Sequence, residues 1–477
     1  MRYDAVVVGS GPNGLSSAIT LQRAGLSVLL VERSEKVGGG MRSAELTLPG
    51  YIHDVCSSVH PMAVASEVFR QFPLSGYDVK FLHSPLALAH PFDDGTAAHV
   101  EKSIPATAAQ FTGASSYRRL MTPLTENWAS IRSAFLAPPH VPRRVRGTAS
   151  FALNALLPAS LFIQGHFEDP RARALFAGIA AHQMVPFEKT ASAAIGLVLL
   201  SIGHLHGWPV VRGGTQRLAD ALLQYFLSLG GTVQTGMDIR SIQDLPDTRA
   251  VLFDLTPRQV LDIGGLHLSK WYRWQLSRFR YGPGVFKMDW VLSSPIPFRA
   301  AACRQAITVH LGGSYPEMRE SARRVAGGGL PENPLVVLAQ PTIVDDARGP
   351  AGRHIAWAYC QVPPGYNGSL AAGVEKQVER FAPGFRDCIL ARHEMNSRDL
   401  QHYNPNYIGG NINGGAMNFR QMLFRPIVGQ DPYATSDPKY YLCSASTSPG
   451  GGVHGLCGYY AARRVLLDIF GLRLPFL

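Results

Sequence analysis

The sequence predicts an α/β protein in which a parallel-sheet layer is assembled from discontinuous segments, with a second, α+β layer inserted between them. Three observations predict it. Residues 1–32 alternate strand, glycine turn, helix and strand. Glycine-rich turns leading into helical patterns return near residues 213 and 450. The long stretches between them read as mostly helical in one case and strand-bearing in the other. At 477 residues the chain has room for two or three domains, with cores that need no disulfide or metal staples.

Ala5-Val6-Val7-Val8 is a continuous apolar run, the pattern of a parallel strand buried on both faces. Gly9-Ser10-Gly11-Pro12-Asn13-Gly14 follows, and then a helical pattern over residues 15–24 that Gly25 stops. Leu26-Ser27-Val28-Leu29-Leu30-Val31 is the next strand and ends at Glu32. In this order Gly9 permits the tight turn, Gly11 lets backbone approach a pyrophosphate, and Gly14 lets helix and strand pack closely. The helix N-terminus offers N–H donors and partial positive charge to the phosphates. Glu32 stands eighteen residues after Gly14, at the strand tip, where a carboxylate accepts hydrogen bonds from ribose hydroxyls and repels a 2′-phosphate. Strand, turn, helix, second strand and acid together predict a dinucleotide-binding, Rossmann-type unit.

Further along, Gly213 and Gly214 precede a helix with the apolar stripe Leu218, Leu222 and Phe226. Gly230 and Gly231 end it, and a short strand containing Val233 follows. Residues 251–257 form an apolar strand stopped by Pro257. Near the C-terminus a strand over residues 440–447 runs into Ser448-Pro449-Gly450-Gly451-Gly452-Val453-His454-Gly455 and then a helix. Residues 76–205 read as mostly helical. Residues 271–414 contain strand-like runs at 285–291, 335–339 and 355–359. The polar, glycine-rich loop 404–415 reads either as backbone approaching a bound ligand or as an ordinary tight loop.

Only 17% of the residues are charged, against roughly 25% in an average soluble protein. The net charge of +11 excludes an acidic solvating chain. That charge is scattered and no recognition motif accompanies it, so no nucleic-acid partner is expected. The six cysteines include no C-x-x-C pair, which argues against a redox dithiol and a structural zinc site and for a reduced, cytoplasmic location. His53, Cys56 and His60 match no standard ligand spacing, and no metal site is expected. The N-terminus lacks the apolar core of a signal peptide. Residues 190–211, the longest uncharged stretch, are interrupted by His204, His206 and glycines and read as a buried helix followed by a turn. The basic stretch 138–146 beside apolar residues 151–157 has two readings, peripheral contact with an anionic membrane or a solvated loop leading into a core helix. Oligomeric state is not set by the sequence.

Beyond Glu32, the run Arg33-Ser34-Glu35-Lys36-Val37-Gly38-Gly39-Gly40-Met41-Arg42 resembles the extended signature of FAD-binding flavoproteins with the glutathione-reductase-like fold. In those proteins the glycines approach the second phosphate and the ribityl chain, and the arginine lies near the pyrophosphate or flavin. The resemblance implies FAD as cofactor, held by Gly9, Gly11, Pro12, Asn13, Gly14, Glu32, Arg33, Gly39, Gly40, Met41 and Arg42. It implies Val233 against the adenine, and Ser446, Gly451, Gly452 and Val453 at the flavin end. There a glycine turn and helix dipole would face the flavin edge where negative charge develops. One departure stands out: the Gly-Asp usual after this strand is replaced by Ser444, Ala445, Ser446 and Thr447, which leaves the ribityl contact to hydroxyls or backbone.

Together with residues 53–61, Gly207-Trp208-Pro209, Tyr281-Gly282-Pro283-Gly284-Val285-Phe286-Lys287 and the turn from Pro449 to His454, the chain resembles the phytoene desaturase-like branch of FAD-dependent oxidoreductases. The resemblance implies an FAD-binding domain from residues 1–75, 206–270 and 415–477. It implies a substrate domain from 76–205 and 271–414 that roofs the flavin. It also implies hydride transfer from a lipophilic organic substrate to flavin N5. Only the G-x-G-x-x-G at residues 9–14 stands in a strand–helix–strand unit with an acid at its end, so no second, nicotinamide-binding domain is expected and oxygen, a quinone or another acceptor would reoxidise the flavin. A polyene isomerase without net redox and a non-catalytic flavoprotein are the alternatives. Lys287, on the opposite strand face from Phe286, resembles the lysine that amine-oxidase-type flavoproteins present to flavin N5; the alternative is a surface lysine on an edge strand. His60 and His454 are acid–base candidates near neutral pH, or structural histidines.

Overall fold

The computed structural model describes residues 3–140, 145–429, 431–475 and 477. The first apolar run is β1 (Tyr3–Val8); the chain turns through Gly9 at φ +98° into α1 (Pro12–Arg23) and returns as β2 (Val28–Val31). It then forms β3 (Leu86–Pro91) and β4 (Ala97–Val100), followed by a series of helices that ends in α2 (Ala194–His206). Next come α3 (Gln216–Ser228), β5 (Thr232–Gln234) and β6 (Thr248–Phe253). The second long insertion supplies β7 (Gly284–Leu292), β8 (Ala306–Leu311), β9 (Val336–Ala339), β10 (His354–Val362), α4 (Ala371–Phe381) and β11 (Ile389–Met395). The chain closes with β12 (Tyr440–Leu442) and α5 (Leu456–Phe470).

Five strands in the order β12-β6-β1-β2-β5 make a parallel sheet. Ala5, Val7, Leu30 and Leu252 face α1, α3 and α5, whereas Val6, Val8, Leu29 and Phe253 face Val260, Ile263 and Leu276. Burial on both faces is what the uninterrupted apolar strands require. Close approach is built in by glycine: a Cβ on Gly14 would lie 1.9 Å from the Gly9 carbonyl oxygen, and one on Gly458 of α5 would lie 1.9 Å from the carbonyl oxygen of Asn13. The sheet is of Rossmann type.

The second sheet has seven strands in the order β11-β7-β10-β9-β8-β3-β4. Side chains alternate across it with period two. Phe286, Met288, Trp290, Ala358, Leu338 and Val309 pack on Val374, Val378 and Phe381 of α4. Val285, Lys287 and Asp289 therefore point to the other face. The region 76–205 is mostly helical, as read, but it also contributes β3 and β4 to this sheet. Its run Leu86-Ala87-Leu88-Ala89 carries little intrinsic strand signal; pairing with β8, Thr308 opposite Leu88, decides its state. At the C-terminus the strand stops at Leu442, shorter than the expected 440–447, and residues 444–447 turn with Thr447 N–H donating to the Ser444 carbonyl.

α2 is thirteen residues long and buried over most of its length, and among the described residues no helix is long and apolar enough to cross a membrane. Residues 141–144 of the basic stretch lie outside the described residues. Nearby, Leu153, Leu156 and Leu161 are exposed. Among the described residues no cluster of three His, Cys, Asp or Glu is placed to hold a metal, and the six cysteines are unpaired.

A buried ionic group ties the two layers together. Arg348, on the loop between β9 and β10, donates through Nη1 to Asp54 at 2.5 Å and through Nε to Asp345 at 2.7 Å, and all three side chains are fully buried. Its Nη2 donates to the carbonyl of Val211. Asp54 also accepts from Ser43 Oγ, Ser58 Oγ and the Thr215 N–H. Burial pushes the Asp54 carboxyl up, but Arg348 and these hydrogen bonds outweigh it and hold it down at about 2. Removing the cation alone strands two carboxylates in the core. Arg348→Met is expected to cost about 3–5 kcal/mol in urea unfolding, and adding Asp54→Asn and Asp345→Asn to it should restore part of that loss.

Candidate functional site

The glycine turn after β1 opens into a cleft of about 520 Å³. Gly9, Gly11, Pro12, Asn13, Glu32, Arg33, Gly39, Gly40 and Arg42 line it, together with Ser446, Gly452 and Val453 from the far end of the chain. The sequence-predicted cofactor residues are thus brought together from three segments. Glu32 accepts from Ser10 N–H at 2.9 Å and from Ser34 N–H at 2.9 Å, which fixes the acid at the tip of β2. Arg42 donates to the Gly39 carbonyl and to Ser34 Oγ and lies 4.2 Å from the ring centroid of Tyr403. The second glycine cluster is stitched to the first turn through Gly38 N–H to the Ser10 carbonyl, and to the following segment through Ser57 N–H to the Gly40 carbonyl. A Cβ on Gly39 would stand 2.9 Å from Gly11 Cα, so these two glycine turns can touch only because both lack side chains.

Four expected residues sit elsewhere. Gly14 packs under the turn and donates its N–H to Asp254 Oδ2 at 3.0 Å. Met41 is fully buried in the core beneath α1 and does not line the cleft. Val233 pairs opposite Leu30 in β5 and packs on that same core; the chain reaches the cleft a few residues later, at Met237, Asp238, Ile239 and Arg240. Gly451 lines the adjoining cavity instead.

Asp254, at the end of β6, was not singled out by the motif reading. It is buried beneath the glycine turn, and burial lifts its carboxyl well above the usual range against the Gly14 N–H, with Glu32 adding to the rise. A neutral acid there keeps negative charge away from a phosphate site. The polar loop after β11 also reaches the cleft, through Tyr403, Asn406, Asn413 and Gly414. Asn406 anchors it by donating to the Asp254 carbonyl and accepting from Thr256 N–H.

The residues present fit a dinucleotide. The N-terminus of α1 has Gly11 as its N-cap, with no capping side chain of its own; Asp254 takes the Gly14 N–H, and the turn at Gly11, Pro12 and Asn13 faces the cleft. Asn13 lines the cleft and is 2% exposed, and its Oδ1 has no partner within the protein. Glu32 would take the ribose end and the turn amides the pyrophosphate.

A second cavity of about 210 Å³ joins the cleft; Cys56, Ser57, Ile412, Asn413, Gly452 and Val453 line both. Its walls carry Met184, Ile195, Leu199 and Val337, and its floor is the open face of the seven-stranded sheet. Lys287 is on that face. It is 2% exposed and ion-paired with Asp289, two residues on and on the same side of the strand. The surface-lysine alternative therefore fails, and β7 is an interior strand flanked by β10 and β11. Burial lowers the Lys287 ammonium, and Asp289 offsets part of that. Behind the pair, Asp289 lies 3.6 Å from His53 Nδ1 and 3.6 Å from His393 Nδ1.

His60 lines the cavity, with Nε2 2.8 Å from Thr215 Oγ1 and Nδ1 unpartnered. Burial lowers it to about 4, so the imidazole is neutral near pH 7. His454 lines neither cavity. Its Nδ1 accepts the Leu456 N–H at 3.0 Å and caps the start of α5, while its carbonyl accepts from Ser66 Oγ. It is a structural histidine. Ser446 Oγ donates to the Gly414 carbonyl at 2.7 Å, so that hydroxyl is already engaged. Asp289 could have been found from the Lys-x-Asp spacing on a strand; Asp54 and Arg348 carry no such local signal.

A family model described as an NAD(P)-binding Rossmann-like domain matches residues 7–72. A pyridine nucleotide-disulfide oxidoreductase domain-containing protein 2 from Rattus norvegicus is 24% identical, over 98% of this chain and 94% of its own length. A phytoene dehydrogenase from Streptomyces griseus is 25% identical over 83% of this chain and 78% of its own. The chain is similar to proteins of the phytoene desaturase-like group of FAD-dependent oxidoreductases. Its cofactor is FAD. The cyclohexylamine oxidase of Brevibacterium oxydans IH-35A shares the fold at a TM-score of 0.61 and 15% identity, covering 98% of this chain and 99% of that one. The "disulfide" of the rat protein's name has no counterpart here, since among the described residues no two cysteines are bonded.

The buried histidines make stability depend on pH with a defined sign. His53, His60, His182 and His454 are each lowered to about 4, first by burial. Unfolded, each binds a proton near pH 6.5, whereas the folded form stays neutral down to about 4. Stability is therefore complete above pH 6.5 and falls as pH drops toward 4, by up to about 1.4 kcal/mol per pH unit for each histidine. Urea midpoints measured between pH 7 and 4 should show this fall, with a shallower slope for His60→Gln.

Proposed function

We propose that this chain removes a hydride from a C–H bond of a lipophilic organic substrate and passes the electrons to oxygen, a quinone or another acceptor. The observation that supports it best is the junction of the dinucleotide cleft with a mainly apolar cavity bounded on one side by the second sheet. FAD, when bound, supplies the hydride acceptor at N5. The chain supplies the rest. The N-terminal turn and Glu32 hold the nucleotide end, and the turn through Gly451, Gly452 and Val453 faces the junction. Met184, Ile195 and Leu199 exclude water from the reacting bond, which strengthens the electrostatic influence of Lys287 and Asp289.

Lys287 can hold or release a proton beside the reacting centre, with Asp289 as its counter-ion and His393 next in line toward solvent. Near neutral pH the uncharged imidazole of His60, on the cavity wall, is available as a base. Of the two stretches with G-x-G-x-x-G spacing, residues 9–14 and 450–455, only the first leads through a helix into a second strand that ends in an acid, which supports an acceptor other than a nicotinamide nucleotide.

Anaerobic addition of a panel of alcohols, ketones, amines and terpenoid lipids to the FAD-containing protein is expected to bleach its visible absorbance stoichiometrically with at least one class. Admission of oxygen or a quinone should restore it. Product that accumulates with no bleaching at any point would instead favour isomerisation. Absence of any spectral response across the panel would overturn the reading.

A further inference from the structure

The open face of the seven-stranded sheet is unusually polar for the floor of a substrate cavity. Strand register places the side chains in two rows. In one, Lys287 stands opposite Tyr359, Tyr359 opposite Val337, and Val337 opposite His310. In the other, Asp289 stands opposite Trp357, Trp357 opposite Ala339, and Ala339 opposite Thr308. The reverse face of the same strands is an apolar core. Buried polar groups in a folded protein are normally hydrogen-bonded. Here four atoms of these rows have no hydrogen-bond partner within the protein, Trp357 Nε1, Thr308 Oγ1, His310 Nδ1 and Asp289 Oδ1; of their residues, all buried, Trp357 and Thr308 line the cavity and His310 and Asp289 do not.

The identities of these atoms restrict what can satisfy them. An indole N–H only donates, so its partner must accept. A hydroxyl can do either. Lys287 and Asp289 are paired with each other, which leaves neither a free cation for a carboxylate nor a free carboxylate for an ammonium. Tyr359 Oη lies 3.4 Å from His182 Nδ1, and His182 Nε2 lies 3.0 Å from His310 Nε2, so these three side chains engage one another; the His310 Nδ1 left over belongs to a residue that does not line the cavity. A hydrocarbon would leave Trp357 and Thr308 unpaired.

Resting on the reading of this cavity as a substrate site, we propose that the substrate is a compact, uncharged molecule bearing a carbonyl or hydroxyl oxygen that accepts from Trp357 Nε1 and meets Thr308 Oγ1. The small cavity volume, about 210 Å³, suits a compact ligand. Trp357 and Thr308 are then specificity-determining residues that select an oxygenated skeleton over its hydrocarbon counterpart. Satisfying buried donors is what gives such sites their discrimination.

The test uses the FAD-containing protein and a matched pair of probes, propiophenone and propylbenzene, which share a carbon skeleton and differ by the ketone oxygen. Phenylpropylamine serves as the cationic comparison. Calorimetric dissociation constants are expected to favour propiophenone over both other probes by about tenfold or more. Trp357→Phe and Thr308→Val, each retaining FAD and a native circular dichroism spectrum, should reduce that preference to about twofold. Equal binding of ketone and hydrocarbon, preference for the amine, binding of none of the three, or a preference untouched by both variants would overturn the proposal. Binding is read without turnover, so a protein that binds propiophenone selectively yet never bleaches with any substrate contradicts the oxidoreductase reading and leaves the oxygen-selective site standing.

Discussion

Asp54 and Arg348 sit where the two layers meet, and the geometry of the site depends on their contact. Asp54 belongs to the segment that leads from the glycine cluster to Cys56, Ser57 and His60, and Arg348 belongs to the roof. The same carboxylate receives the Thr215 N–H at the start of α3. One buried charge therefore aligns three stretches of chain that are far apart in sequence. Two of the residues it positions, Cys56 and Ser57, line both the cleft and the cavity. Removing charged groups from water is costly, and such a group survives in a core only with excellent geometry and every remaining lone pair engaged. Arg348 and Asp54 meet that condition through Asp345, Val211, Ser43 and Ser58.

A second constraint is electrical. Charges inside the junction are paired or neutral: Lys287 with Asp289, the histidines His53, His60 and His182 uncharged, Asp254 biased toward its neutral acid. This leaves the phosphate end of the cleft governed by the amides of α1 and by Arg33 and Arg42, while the cavity end presents no net charge to a lipophilic molecule. The chain's low content of charged residues is consistent with so much interior surface around one long cleft.

The cofactor half was largely legible in the sequence because its function is carried by backbone. Gly9, Gly11, Gly39 and Gly452 stand where a side chain would clash or the backbone takes a positive φ, and such positions leave a glycine in the sequence. Strand alternation also correctly separated Lys287 from Phe286. Legibility failed where long-range pairing decides. β3 and β4 are alanine-rich, and they join the sheet by long-range pairing of β3 with β8 and by pairing of β4 with β3. Val233 and Met41 were assigned from their place in a motif, yet a small shift along the chain, and the demands of the core beneath α1, put other atoms at the cleft. Asp54, Arg348, Trp357 and Thr308 are separated by hundreds of residues or by sheet register, and no local pattern marks them. His454 shows the converse: a histidine beside a functional turn can serve the turn itself.

In the proposed function the reactive end of the cofactor lies at the junction, against the sheet face that carries Lys287. The visible absorption spectrum of the FAD-reconstituted protein tests this most directly when compared with Lys287→Met/Asp289→Asn, a pair that leaves no buried charge alone. With equal FAD content in both, the account predicts displaced flavin bands in the variant, because the ring senses the loss of the charged pair beside it. Superimposable spectra from two fully loaded proteins would contradict it and place the ring away from the roof.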